Sequence, residues 1–136
     1  MQFPSYKFVV SVFIRNKQDH YLFLKRAAGE TLAGVWDIAG GGVETKESVF
    51  DAATRESLEE TGLELLNLRL FKVRVKVGAH KKQKHYVEHW FVADSKDQDP
   101  VLSLEHAEYR WLSLEDALSL PLTDYLRPLV EELLTM

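Results

Sequence analysis

The stretch Gly41 to Leu63, GGVETKESVFDAATRESLEETGL, constrains this chain more than any other. From about Glu47 to Thr61 it is built of helix formers, and Gly62 stands where a helix stop belongs. On a helix turning about 100° per residue, Glu56, Glu59 and Glu60 share one face, because they are spaced i, i+3 and i+4. Phe50, Thr54, Ser57, Leu58 and Thr61 take the opposite side, the one expected to meet the core. Like charges crowded this way cost a helix a few tenths of a kcal/mol per pair, roughly. They also stand away from the first turn, where the helix dipole would favour them. Taken alone, an acidic helix face is ordinarily solvated surface. If a partner gathers there, a hard divalent cation, which prefers carboxylate oxygens, is the natural one.

The flanking residues change that weighting. Gly41, Glu47, Arg55, Glu56, Glu59, Glu60 and Gly62 stand in the order and spacing of the Nudix box, G-x5-E-x7-R-E-U-x-E-E-x-G-U, where U is apolar, and Leu63 fills the last U. On these residues the chain resembles the Nudix hydrolases, with a MutT-like layout. One position departs from the pattern: the first U is Ser57. It lies on the core side, so it weakens packing rather than removing a ligand, and its hydroxyl can bond the carbonyl one turn back.

The resemblance implies an α/β fold, an α/β/α sandwich around a mixed β-sheet with the box as loop-helix-loop, formed by residues 1–136 as a single domain. It implies a pyrophosphohydrolase that uses Mg2+, with Mn2+ as a substitute, and water as the nucleophile. Glu56, Glu59 and Glu60 map onto the metal ligands, with the carbonyl of Gly41 or neighbouring Gly40 beside them. Arg55 and Glu47 map onto a pair that fixes the helix against its loop, and Glu44 lies in the same loop. The general base is a box glutamate or a loop carboxylate; Glu105 is the first loop candidate, with Glu108 and Glu88 behind it. The physical need for metal is plain, since a diphosphate is highly anionic and its transition state more so.

The substrate is less legible. Trp36-Asp37-Ile38-Ala39-Gly40-Gly41 stands where MutT-like members carry WxxPGG, with alanine in place of proline. An aromatic at Trp36 is more often core than a platform for a base. The expected substrate is a small nucleotide-like molecule, a nucleoside triphosphate, ordinary or oxidised, before ADP-ribose, another nucleotide-sugar or a dinucleoside polyphosphate. A nucleotide-sensing module without catalysis is disfavoured by the intact carboxylates. An isomerase of the isopentenyl diphosphate type is disfavoured because the chain has no cysteine.

The rest of the sequence sets the frame. Tyr6 to Arg15 and Tyr21 to Arg26 read as a strand pair, Leu65 to Val77 and His85 to Ala93 as two long strands, and Tyr109 to Leu112 as a short last one. In FKVRVKV, Phe71, Val73, Val75 and Val77 alternate with Lys72, Arg74 and Lys76. Ser113 is expected to cap a helix over Leu114 to Leu120, and Thr123 to start one ending near Leu134. His80, His85, His89 and His106 make no zinc pattern, and His85 and His89 read as structural or substrate-facing. The run Lys81-Lys82-Gln83-Lys84 reads as a solvated hairpin tip. A net charge of -4 argues against a nucleic-acid polymer as partner. No apolar run is long enough for a membrane span, which fits a cytoplasmic protein. A homodimer is expected from the resemblance alone.

Overall fold

In the computed structural model, which describes residues 3–78 and 84–136, the β-branched and aromatic run near the start becomes the strand on which the sheet is assembled. This strand, β1 (Ser5–Arg15), turns back through Asn16, whose Oδ1 accepts from the backbone N–H groups of Gln18 and His20, each at 3.0 Å. The return strand is β2 (Tyr21–Arg26), followed by β3 (Trp36–Asp37) and β4 (Ala39–Gly42). Then come α1 (Val49–Thr61), β5 (Leu65–Lys76), β6 (Lys84–Ser95), β7 (His106–Leu112), α2 (Leu114–Ala117) and α3 (Arg127–Leu134).

The sheet runs β3-β2-β1-β6-β5, with β7 on β2 and β4 on β1. β1 and β6 are parallel and the other pairs antiparallel, so the sheet is mixed. One edge of β1 follows β6 throughout; the other takes β4 against Val9 to Val12 and meets β2 at Arg15. That division brings the glycines of β4 beside the middle of β1.

Alternation along β1 and β6 feeds two cores. Val10, Val12, Ile14, Phe91 and Ala93 pack with Ala52 and Ala53 of α1. Phe13, Trp90 and Val92 pack with Leu114, Leu126, Leu129 and Val130 from the last two helices and their connection. Each large apolar side chain buried in this way contributes about 1.5–3 kcal/mol. The result is the expected α/β/α sandwich. Among the described residues no helix is long and apolar enough to cross a membrane.

Several local expectations change. The buried face of α1 is Ala52, Ala53, Ser57, Glu60 and Thr61, whereas Phe50 and Leu58 are about half exposed and Thr54 is exposed. Small residues let the helix lie close on the strands, and that proximity sets its rotation. Ser57 is buried as expected, but its Oγ has no hydrogen-bond partner; Thr61 and Thr54 make the bonds back along the helix instead. The last strand is longer than expected and begins at His106. Ser113 does cap α2, but that helix ends at Ala117. Thr123 does not start α3: its N–H donates to the Trp36 carbonyl at 3.0 Å, and the helix opens at Arg127 with Pro128 in its first turn.

On β5 the charged side of the alternation turns inward. Lys72 pairs with Glu132, and Arg74 with Glu88, while Val73, Val75 and Val77 are exposed. Within the run Lys81-Lys82-Gln83-Lys84, only Lys84 is among the described residues; His80 also lies outside them.

Candidate active site

The helix that carries the glutamates is fixed at both ends by its own sequence. Ser48 caps it, with Oγ accepting from the Asp51 N–H at 3.0 Å. Gly62 closes it in the left-handed region at φ 70°, where a Cβ would be strained, and its N–H donates to the Leu58 carbonyl. Between these ends α1 packs on β1 and β4. Glu56 and Glu60 therefore face the β4 glycines, and Glu59 stays on the outer side with 58% of its side chain exposed.

Glu60 is only 5% exposed. Its Oε2 accepts from the Gly40 N–H at 3.3 Å, and its carboxyl is hydrogen-bonded to Glu56. Burial first, then the bond and charge of Glu56, hold Glu60 well above the ordinary carboxylate range. Gly41 meets Glu56 at close quarters: a Cβ built there would fall 2.5 Å from the Glu56 carboxyl carbon. At Gly40 a Cβ would lie 2.2 Å from the Val10 carbonyl oxygen, so that glycine serves the strand pairing.

Arg55 ties the loop to the helix. Its Nε and Nη2 fork onto Glu47 at 2.7 and 3.0 Å, Nη2 also donates to the Gly42 carbonyl at 2.9 Å, and Nη1 reaches Glu56 at 2.9 Å and Glu59 at 3.3 Å. The Arg55 bonds, then the Glu44 N–H, hold Glu47 down at about 2. The Glu44 side chain is exposed, 3.7 Å from Arg55.

Glu105 and His106 close the other side. Candidate ligand atoms of Glu60, Glu105 and His106 all lie within 4.8 Å of one another. His106 Nδ1 is buried 3.9 Å from Glu60 Oε1 with no hydrogen-bond partner. Burial, and then the charge of Arg26, lower His106 to about 4, so it is neutral near pH 7. Apart from this imidazole, the side chains gathered here offer carboxylate oxygens, the donor type that hard divalent cations take. Among the described residues no lysine or arginine pairs with Glu60. A cation at this point is what the donor set fits.

A cavity of about 420 Å³ opens beside the carboxylates. Gly40, Gly41, Glu60, Glu105 and His106 line one part of it; Asp37, Lys76, Tyr86, Glu88, Trp90 and Tyr125 also line it. Trp36 is buried in the core and is no platform for a base. His85 and His89 alternate on β6 with the cavity-lining Tyr86, Glu88 and Trp90, and they contact Tyr6 and Phe8 instead. Of the other two base candidates, Glu108 pairs with Lys25 at 3.5 Å, and Glu88 is held by Arg74.

Sequence reasoning assigned no role to Asp37, Arg26, Arg74 or Tyr125. Asp37 is buried, with Oδ1 accepting from the Ile38 N–H at 2.8 Å and Oδ2 from the Tyr125 hydroxyl and from Arg26. Burial pushes its carboxyl up against the pull of those donors. A signal was present: an acid between Trp36 and Ile38, in an apolar strand, needs buried partners.

A family model described as NUDIX domain matches residues 5–133. A CTP pyrophosphohydrolase of Escherichia coli strain K12 is 32% identical over 132 residues, 94% of this chain and 91% of that protein. An asymmetrical bis(5'-nucleosyl)-tetraphosphatase of Rattus norvegicus is 34% identical over 102 residues, 71% of this chain and 68% of that one. Among solved structures, a MutT protein from Methanosarcina mazei Go1 superposes with a TM-score of 0.78 at 32% identity, covering 97% of this chain and 95% of the other.

Proposed function

The chain belongs to the Nudix family and is a pyrophosphohydrolase, and from that premise we propose that it converts a nucleoside triphosphate to the monophosphate and pyrophosphate using Mg2+. The observation that carries this reading is the Glu60 carboxyl, buried against Glu56 beside Glu105 with no lysine or arginine pairing with it among the described residues. That arrangement suits an ion, because Glu60 can carry its charge at this buried position only with a cation beside it.

Glu56, Glu59, Glu60 and the Gly41 carbonyl would hold the ion in this reading. A bound divalent ion supplies neutralisation of the diphosphate oxygens and a more acidic attacking water. Arg55 keeps Glu56 aimed inward. Glu105 takes the water's proton at its carboxylate; its nearness to Glu60 and its exposure to solvent support that role. The nucleoside then occupies the rest of the cavity, with residues 1–136 acting as one domain. The triphosphate is favoured by the Escherichia coli relative, which matches nearly the whole chain. A second reading, a dinucleoside polyphosphate, draws support from the Rattus norvegicus relative over a shorter span.

The test is a panel of ordinary and oxidised nucleoside triphosphates, ADP-ribose and diadenosine tetraphosphate, with Mg2+ and with chelator. We expect pyrophosphate from at least one triphosphate, and none once the metal is removed. Cleavage of the tetraphosphate alone would transfer the assignment to the second reading.

The expected homodimer gains support from an apolar row on the α1 side of the sheet, toward the start of β1. Val75, Val87 and Phe8 are register neighbours across β5, β6 and β1, and Val73 and Tyr6 extend the row. A second copy covering this face would remove exposed apolar surface of the kind monomers rarely keep. Sedimentation is expected to give the mass of two chains, and Val75→Asp the mass of one. A native chain that sediments singly at micromolar concentration refutes the dimer.

A further inference from the structure

We infer that Glu88 selects the base, accepting a hydrogen bond from an exocyclic amino group, so that cytosine, adenine and guanine nucleotides are taken before those of uracil and thymine. The inference rests on the nucleoside triphosphate reading, since it concerns what fills the cavity beyond the carboxylates.

Two acids line that part of the cavity, and their bonding differs. Both oxygens of Asp37 are occupied, by the Ile38 N–H on one side and by Tyr125 and Arg26 on the other. Glu88 is 7% exposed, and both of its bonds fall on one oxygen. Oε1 accepts from Arg74 Nε at 2.7 Å and from Trp90 Nε1 at 3.1 Å. Among the described residues Oε2 has no hydrogen-bond donor. Arg74 is itself anchored, its Nη2 donating to the Tyr125 carbonyl at 3.1 Å. The carboxylate is therefore aimed by two fixed donors and keeps one acceptor in reserve on a cavity wall.

An acceptor already fixed in place is complementary to a donor edge. Cytosine and adenine present an amino group, and guanine presents an amino group beside a ring N–H. Uracil and thymine offer one ring N–H between two carbonyls, whose lone pairs would face the carboxylate. Lys76 lines the same part of the cavity and lies over the Tyr125 ring at 6.0 Å, so its ammonium can serve the carbonyl or ring nitrogen that flanks the amino group. A site built around an acceptor disfavours a base whose only donor is flanked by two carbonyls, because bringing the carboxylate to that N–H sets its oxygens against their lone pairs.

The test is pyrophosphate release from dCTP, dATP, dGTP, dTTP and dUTP, with kcat and KM separated, for the native chain and Glu88→Gln. The native chain is expected to favour at least one amino-bearing base over dUTP and dTTP by about ten- to a hundred-fold in kcat/KM. Glu88→Gln, which offers an amide N–H2 as well as an acceptor, is expected to shrink that ratio several-fold, chiefly through KM. A purely packing role would lower all five substrates together and leave their ranking unchanged. An unchanged ranking in Glu88→Gln, or a native chain that favours no amino-bearing base over dUTP and dTTP, overturns the inference while leaving the triphosphate reading intact. If none of the five is hydrolysed, the triphosphate reading and this one fall together. The native ranking needs no variant, so poor folding of Glu88→Gln cannot shield the claim.

Discussion

Glu60→Gln is expected to lose Mg2+-supported hydrolysis by roughly a hundred- to a thousand-fold and at the same time to make the metal-free protein more stable at neutral pH. Both effects come from one carboxyl. In the metal-free chain burial and Glu56 raise Glu60 above its unfolded value. A group raised in this way contributes its full stability below the unfolded pKa, near 4.5, and that contribution is lost as pH rises toward the folded one. Between pH 7 and pH 8.5, above the range in which neutral His106 adds stability, the native protein should therefore melt at lower temperature as pH rises when metal is absent. Added Mg2+ should restore the loss, because a ligand that binds only the folded state stabilises it and displaces the shared proton. Glutamine keeps the acceptor for the Gly40 N–H but carries no charge to desolvate. Its metal-free melting point at pH 8 should lie about 3 °C or more above the native one, the shift expected from roughly 1 kcal/mol in a domain of this size. Its response to Mg2+ should be small. Melting curves at two pH values, with and without Mg2+, read all of this. Undiminished hydrolysis by Glu60→Gln, or a native melting point indifferent to pH and Mg2+, removes the ligand assignment.

How far the sequence could be read depended on how local the relevant physics is. The box was legible because its spacing acts through one helix: Gly62 stops it, and Glu56, Glu59 and Glu60 follow from the residues per turn. The strands of the sheet were legible because β-branched and aromatic runs have few other uses. Helix rotation was not, because it depends on Ala52 and Ala53 meeting strands far away in the chain. For the same reason the wheel placed Leu58 and Thr54 inward, whereas Leu58 is half exposed and Thr54 exposed, and Phe50 meets the core only at its rim, edge-on to Phe91. The partnership of Asp37 with Tyr125 spans 88 residues, and that of Arg74 with the Tyr125 carbonyl spans 51. Such contacts are set by the sheet order and by the path of the chain into α3, which propensities do not encode. Glu88 illustrates the limit: its place among alternating residues of a strand was visible, but which strand face became a cavity wall was not.

Arg55→Lys is expected to cost about ten- to a hundred-fold in kcat/KM at limiting Mg2+, although it conserves the charge. The argument is geometric. One planar guanidinium serves both oxygens of Glu47, the Gly42 carbonyl and Glu56 at once, all between 2.7 and 3.0 Å. It thereby fixes the loop that follows β4 to the helix that carries the glutamates. An ammonium is a point donor and cannot satisfy Glu47 in fork fashion while still reaching Gly42 and Glu56. Glu56 would then be free to turn outward, and the gap between it and Glu60 would no longer be set in advance for an ion. The defect should therefore appear as weaker metal activation: the Mg2+ concentration giving half-maximal rate rises, and high Mg2+ recovers part of kcat. Acidification does not imitate this variant over the working range, because the Arg55 bonds, then the Glu44 N–H, hold Glu47 down at about 2 and its stabilising contribution is lost only as pH falls toward that value. A Mg2+ titration of the rate for the native chain, Arg55→Lys and Arg55→Ala separates the cases. If lysine matches the native curve, charge alone suffices and the fork has no role. If both variants lose kcat with no change in the Mg2+ midpoint, Arg55 acts on the substrate rather than on the placement of Glu56.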